Sequence, residues 1–228
     1  MRGISIVMPV LNEAPAIVAA LTALQPLRRS GVEVVIADGG SRDDTVALAR
    51  PLCDRVVCTA RGRALQMNAG AAAAAGDVLI FLHADTRLPD GACTLIDEAL
   101  RTRRQWGRFD VRIDGRHPLL RIVGLMMNLR SRLTGIATGD QAIFCTRALF
   151  DRLGGFAPIA LMEDVDFSRR ASRLGAPACL AAHVVTSGRR WERHGVLRTV
   201  LLMWRLRLRY FLGADPADLA RDYRPHHE

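Results

Sequence analysis

Three short apolar runs, ISIVMPV, VEVVIAD and DVLIFLH, each stop abruptly in polar residues, and a stretch with helical spacing of apolar residues follows the first two. Runs this short and this apolar, closed by Pro, Asp-Gly-Gly or His, read as strands buried on both faces. LNEAPAIVAALTALQPL supplies the first helix, with Asn12 as its expected N-cap, and a second helix opens near Asp43 or Asp44. A weaker strand at residues 55–58 and a helix at 63–75 continue the pattern. The alternation predicts an α/β chain with a Rossmann-like, mostly parallel sheet flanked by helices. In such sheets ligands bind beyond the carboxyl ends of the strands. The polar residues at those ends are Asn12 and Glu13, Asp38, and His83 with Asp85.

The second half is less regular. It predicts a strand near 109–113, an amphipathic helix at 119–133, and a loop TGIATGDQ leading into a strand at 142–145. Gly154 and Gly155 mark a turn, and Glu163, Asp164 and Asp166 open a helix. A last helix spans about 195–212. Neither an internal repeat nor a Gly/Pro/Ser-rich linker separates the halves, so one core is expected.

Composition removes several functions. All 32 basic residues are arginine, which excludes a phosphate-binding loop ending in lysine, a Schiff-base lysine and a lysine base. Gly39-Gly40 lacks the spaced glycines of a dinucleotide fingerprint, so hydride transfer is unsupported. The five cysteines form no C-x-x-C pair, and no charged-then-apolar leader precedes the first strand; a reducing, cytoplasmic setting is expected. Residues 1–100 hold 9 arginines against 11 acids, and residues 101–228 hold 23 against 12. A basic half suits nucleic acid, an anionic membrane or a phosphorylated substrate. With aromatics at 5%, stacking platforms for bases are scarce, which argues against nucleic acid.

PVLNE, ADGGSRDDT, FLHADT, GDQ and MEDVDF occur in this order over about residues 4–190. Together they resemble the inverting family-two glycosyltransferases of GT-A fold. RGRALQMNAGA, FLHADT and TSGRRWERHG resemble the bacterial radical-SAM/selenodomain-associated subgroup of that family. The resemblance implies a single GT-A domain over 1–190, with a nucleotide-binding half at 1–100 and an acceptor half at 101–190. Residues 191–228 are left as a C-terminal amphipathic helix and tail.

It also implies roles for particular residues. Pro9, Val10, Glu13 and Asp38 match the nucleotide-binding edge, Asp38 at the nucleoside. Arg63, Gln66 and Asn68 are placed by the subgroup pattern at the donor diphosphate. Asp85 matches the second carboxylate of the family's D-x-D and would hold a divalent cation, Mn2+ or Mg2+, beside the phosphates of a nucleotide-diphosphate sugar. The first two positions of that triplet are His83 and Ala84, also set against the nucleotide. His83 reads first as a hydrogen-bonded histidine beside the site; as a ligand it, or His183, would be softer and favour manganese. Asp164 matches the general base and Glu163 an acceptor-orienting partner. Asp140, Gln141, Arg189, Arg190 and Trp191 fall on the acceptor side, the acceptor itself being open between lipid-linked and phosphorylated molecules.

Plainer readings stand beside these. Asp38 with two glycines is also turn chemistry, the acids of MEDVDF also complement a helix dipole, and RRW is also a basic loop with a packed indole. Two other function classes remain open: a nucleotidyltransferase making an activated sugar, and a non-catalytic membrane- or nucleic-acid-binding protein with a degenerate site. In the last helix the longest apolar run is VLLMW, far short of the roughly 20 residues of a membrane span. A core helix, a homodimer interface and a peripheral contact with an anionic membrane all fit it.

Overall fold

The computed structural model describes residues 2–223; residues 224–228 of the expected tail lie outside the described residues. The first half runs β1 (Ile4–Val10), α1 (Ala14–Arg29), β2 (Glu33–Asp38), α2 (Thr45–Ala49), β3 (Arg55–Cys58), α3 (Arg63–Ala73) and β4 (Val78–Phe81). The second half adds β5 (Thr86–Arg87), α4 (Ala92–Arg101), β6 (Trp106–Asp114), α5 (Leu119–Thr134), β7 (Phe144–Thr146), α6 (Arg147–Leu153), α7 (Glu163–Ser172), β8 (Ala178–Ser187), α8 (Arg189–His194), α9 (Val196–Phe211) and α10 (Pro216–Tyr223). All eight strands join one sheet in the order β3-β2-β1-β4-β7-β6-β8-β5. The first four are mutually parallel, as fully apolar strands require. Beyond β4 the sheet is mixed: β7 is antiparallel to β4 and β6, and β6 is parallel to β8.

The position of β5 dictates the shape. Only residues 82–85 separate β4 from β5, yet three strands lie between them in the sheet. In a flat sheet those four strand spacings amount to about 19 Å, beyond the roughly 18 Å that five extended Cα steps span. The sheet therefore curls, bringing the β8 edge back over the carboxyl end of β4. Thr86 pairs with Thr186, and the Ser187 N–H donates to the Asp85 carbonyl.

Two cores cover the faces. Ile6, Met8, Ile36 and Ile80 pack against Ile17 and Leu21 of α1 on one side. On the other, Val7, Val35 and Phe81 meet α3 and a ring cluster of Phe150, Phe156 and Phe167. The helix α3 approaches β1 so closely that a Cβ on Gly70 would stand 2.4 Å from Val7 Cγ1.

Several local expectations change. Asn12 does not cap α1. It takes a left-handed conformation (φ 53°) and accepts from the Arg42 N–H at 2.8 Å, stitching the first strand-helix loop to the second. The orphan N–H groups of Glu13 and Ala14 find Thr45 Oγ1 and Asp43 Oδ2 instead. The strand expected at 142–145 begins at Phe144, because Ala142 (φ 46°) turns the chain first. The ten-residue β8 went unpredicted: its residues alternate only weakly between buried and exposed.

Arg108 is fully buried in β6. Its guanidinium bonds to Ser131 Oγ, the Asn128 carbonyl and Asp110, and Arg132 closes on the other Asp110 oxygen at 2.6 Å. Removing one member of a buried ion pair leaves the other uncompensated. Asp110→Ala should therefore cost about 3–5 kcal/mol in urea unfolding; a loss under about 1 kcal/mol would show that the network does not hold β6 to α5.

Candidate active site

β4 leaves the sheet through His83, Ala84 and Asp85. Ala84 is buried; Asp85 is exposed, and among the described residues its carboxylate accepts a hydrogen bond only from the Thr86 hydroxyl, at a long 3.4 Å. Its acceptor capacity is almost unspent. Among the described residues no three His, Cys, Asp or Glu side chains form a cage for a metal ion. A single free carboxylate nevertheless fits a Mg2+ or Mn2+ site completed by substrate phosphates, the usual form for such ions.

His83 turns the other way. Its Nδ1 stands 3.5 Å from Asp140 Oδ1, and its Nε2 is buried without a partner. The ring lies against Gly139, where a Cβ would come within 2.5 Å of Cε1. The histidine is thus committed to the 139–140 turn, and the manganese preference argued from it loses its basis. His183 fares no better: it stands four residues back along β8 from Ser187, about 13 Å along the strand.

The turn that His83 touches carries the acceptor-side acids. Thr138 and Gln141 close a 3-10 turn at Gly139–Gln141 as a capping box. Its first free N–H, that of Gly139, donates to Asp164 Oδ2 at 2.9 Å, while Asp164 Oδ1 accepts from the Val165 N–H at 2.8 Å. The base candidate is therefore oriented from two sides at the start of α7. Asp140 is half exposed. Partial burial raises its pKa, but His83, Arg63 and Arg190 outweigh this and hold it below the usual carboxylate range.

Arg63 opens α3 between the two groups of acids. Its Nη1 is 3.6 Å from Glu163 Oε1, too long for a hydrogen bond, and Glu163, Asp164, Asp140 and Asp85 all act on its charge. Glu163 is buried, its Oε1 has no hydrogen-bond partner, and burial raises its pKa, with Arg63 opposing and Asp164 reinforcing. Glu13, across the β1 end, is likewise raised by burial and then by Asp85, against Arg189 and His83.

Other expected site residues work within the protein. Gln66 is buried, and its Nε2 donates to the carbonyls of Val10 and Ala37, tying β1 to β2. Asn68 clips both backbone groups of Phe156. Gln141 is buried in its own capping box. Asp38 is buried and accepts from the N–H groups of Gly40 and Ser41 and from the Ser41 hydroxyl, so the turn reading describes its contacts. Trp191 packs against the cluster of Ile113, Leu120 and Val196 rather than standing free over a sugar. At the β1 end Pro9 is partly exposed, while the Val10 side chain is buried in the core and its carbonyl accepts from the Gly39 N–H. Arg189 is exposed, and Arg190 lies 3.9 Å over the Tyr223 ring.

Two arginines on this side escaped the sequence reading. Burial lowers the Arg130 pKa to about 10, Arg207 pushes the same way and Asp164 opposes; Nε and Nη2 of Arg130 are buried without partners. Burial also lowers the pKa of Arg207, against Asp164 and Asp140. One signal could have found them: each sits in an amphipathic helix with no acid three or four residues away.

The curled sheet, with a free carboxylate beyond the end of β4 and a second acidic group across Arg63, has the architecture of the GT-A glycosyltransferases. The profile of Glycosyl transferase family 2 matches residues 5–149, and the chain belongs to that family. A PGL/p-HBAD biosynthesis glycosyltransferase of Mycobacterium tuberculosis is 29% identical over 203 residues, 80% of this chain and 75% of that protein. Among solved structures, glucosyl-3-phosphoglycerate synthase from Mycobacterium tuberculosis, in complex with Mn2+, uridine diphosphate and glucosyl-3-phosphoglycerate, is 25% identical with a TM-score of 0.62, over 80% of this chain and 70% of its own. S. aureus TarS 1-349 in complex with UDP-GlcNAc shares the fold at 16% identity and a TM-score of 0.65, over 81% and 58%.

The raised Glu163 pKa has a stability consequence with a definite sign. The unfolded chain ionises this carboxyl near the ordinary value of 4.5, before the folded one does. Stability is therefore lost as pH rises from there towards the folded pKa. Glu163→Gln should melt above the wild type at neutral pH, the gap closing below about pH 4. A wild type that is the more stable at neutral pH would mean that the Arg63 pairing outweighs the burial.

Proposed function

We propose that this glycosyltransferase moves a sugar from a UDP-sugar to an acceptor hydroxyl with inversion at the anomeric carbon. The observation that carries the reading is the position of the Arg63 guanidinium, 3.6 Å from Glu163 and within the field of Asp164, Asp140 and Asp85. Donor-side and acceptor-side carboxylates thus act on one cation, and a direct displacement needs both.

Asp85 would hold the divalent cation, Mn2+ or Mg2+, which when bound neutralises charge growing on the diphosphate leaving group. Mn2+ or Mg2+ accompanies uridine diphosphate in the mycobacterial synthase structures, which supports a cation here without choosing between the ions. Arg63 and Arg189 supply positive charge at the donor side. Asp164 takes the proton of the acceptor hydroxyl as its oxygen attacks the anomeric carbon; the bond from that carbon to the diphosphate oxygen breaks and UDP leaves. The bonds from Gly139 and Val165 fix the carboxylate for this, and Glu163 with Arg63 keeps the adjoining wall in place.

The acceptor reading is an anionic molecule. Arg130 has buried nitrogens without partners, and Arg207 and Arg190 stand on the same side, acting on Asp164 and Asp140. The mycobacterial synthase is also described with phosphoglyceric acid. The subgroup assignment rests on the three sequence motifs alone. Glycosyltransferase relatives weigh against both the nucleotidyltransferase and the non-catalytic alternatives.

Asp164→Asn tests the base. UDP release from UDP-glucose, with phosphoglyceric acid as first acceptor and with water alone, should fall by about 10²-fold or more. UDP affinity should stay within a few fold. Turnover close to wild type in the variant would remove Asp164 from the chemistry.

A further inference from the structure

Fifteen large hydrophobic residues are exposed among the described residues, and ten of them lie on two helices that touch each other, α5 and α9. On α5 they are Ile122, Leu125, Met126, Leu129 and Leu133, the stripe opposite the buried Leu120, Gly124, Asn128 and Ser131 that faces β6. On α9 they are Leu197, Leu201, Trp204, Leu208 and Phe211, recurring at alternating four- and three-residue steps. Their exposures run from 47% to 78% of the residue surface, whereas a soluble monomer rarely leaves more than a few hundred Å2 of contiguous apolar surface bare.

Charge decides what covers this face. The two helices contain seven arginines and no acid; Arg121, Arg198 and Arg205 are exposed, and Asp222 of α10 answers only Arg205, at 3.8 Å, and Arg209. A second copy related by a two-fold axis would present the same surface and set arginine against arginine. An anionic bilayer offers the complement, acyl boundary for the apolar stripe and negative headgroups for the cations. A cleft of about 280 Å3 lined by Arg190, Arg198, Arg205 and Leu201 opens beside the α9 stripe, next to the apolar residues that would enter the lipid. No described helix is long and apolar enough to cross a membrane, so the contact is a surface one.

We propose that the outer faces of α5 and α9 dock the protein on an anionic membrane surface, with lipid phosphates taken by the arginine cleft beside α9. The inner sides of the same helices carry Arg130 and Arg207, so the docked face backs directly on the acceptor side of the site.

Sedimentation with vesicles of phosphatidylcholine alone and of phosphatidylcholine mixed with phosphatidylglycerol tests this on the whole chain. Binding should be to the mixed vesicles, should weaken as salt is raised, and should shift Trp204 emission to the blue, a shift absent in Trp204→Phe. Leu201→Ser combined with Leu208→Ser should abolish it, and Arg198→Gln with Arg205→Gln should weaken it more than about tenfold. These side chains are exposed, so thermal melting should stay unchanged in both variants. Equal binding to neutral vesicles would overturn the charge argument. No binding to either, or a stable dimer in light scattering that the double leucine variant dissociates, would overturn the proposal.

Discussion

The antiparallel seam between β4 and β7 is the joint on which the rest of the molecule depends. Leu79 faces Cys145 and Ile80 faces Phe144 across it, and the Phe81 N–H reaches on to the Ile143 carbonyl. Through this seam a parallel nucleotide-type half is welded to a mixed half, with the phenylalanine cluster filling the space beneath. At its open end β4 delivers His83 and Asp85, and the segment entering β7 delivers Gly139, Asp140 and the N–H that holds Asp164. The distance between donor and acceptor groups is thus set by one strand pairing. His83 wedged on Gly139 leaves no room for a Cβ, so the turn cannot drift without moving the histidine.

Arginine does the work that lysine often shares elsewhere. Arg108 and Arg132 bracket Asp110 inside the fold, Arg147 gathers the carbonyls of Gly76, Ala71 and Ala74, and Arg170 those of Leu153 and Gly155. The planar fork suits such multiple acceptors better than a point charge would. The arginines around the cleft differ in kind. Arg130, Arg190 and Arg207 are half-buried and Arg63 is exposed, and the carboxylate nearest Arg63, that of Glu163, lies beyond hydrogen-bond distance at 3.6 Å, so their field is directed at whatever enters the site. The buried Glu163 and the half-exposed Asp140 balance that field.

The parallel half was legible because its strands are uniformly apolar and end in unmistakable turn chemistry: ISIVMPV, VEVVIAD and DVLIFLH all became strands, and the polar residues beyond them do gather at one rim. Asp85 and Asp164 are singled out by motif register. The contacts that sequence does not reveal share a cause. Gln66, Asn68 and Gln141 look like ligand residues because they are polar and near the motifs, but their amides answer backbone groups at loop ends that sequence does not reveal. Asn12 resembled a cap and instead joins two loops thirty residues apart. The short β5 and the half-exposed β8 are defined by long-range pairing alone, and the curl they impose brings Arg189 to the cleft.

The decisive measurement is calorimetric titration of UDP into wild type and Asp85→Ala, each with Mn2+, with Mg2+ and with chelator. If Asp85 holds the cation beside the diphosphate, wild type should bind UDP at least about tenfold tighter with metal than with chelator. In Asp85→Ala that metal dependence should vanish. UDP binding of equal strength in both proteins, indifferent to metal, would contradict the assignment and move the diphosphate site onto the arginines alone.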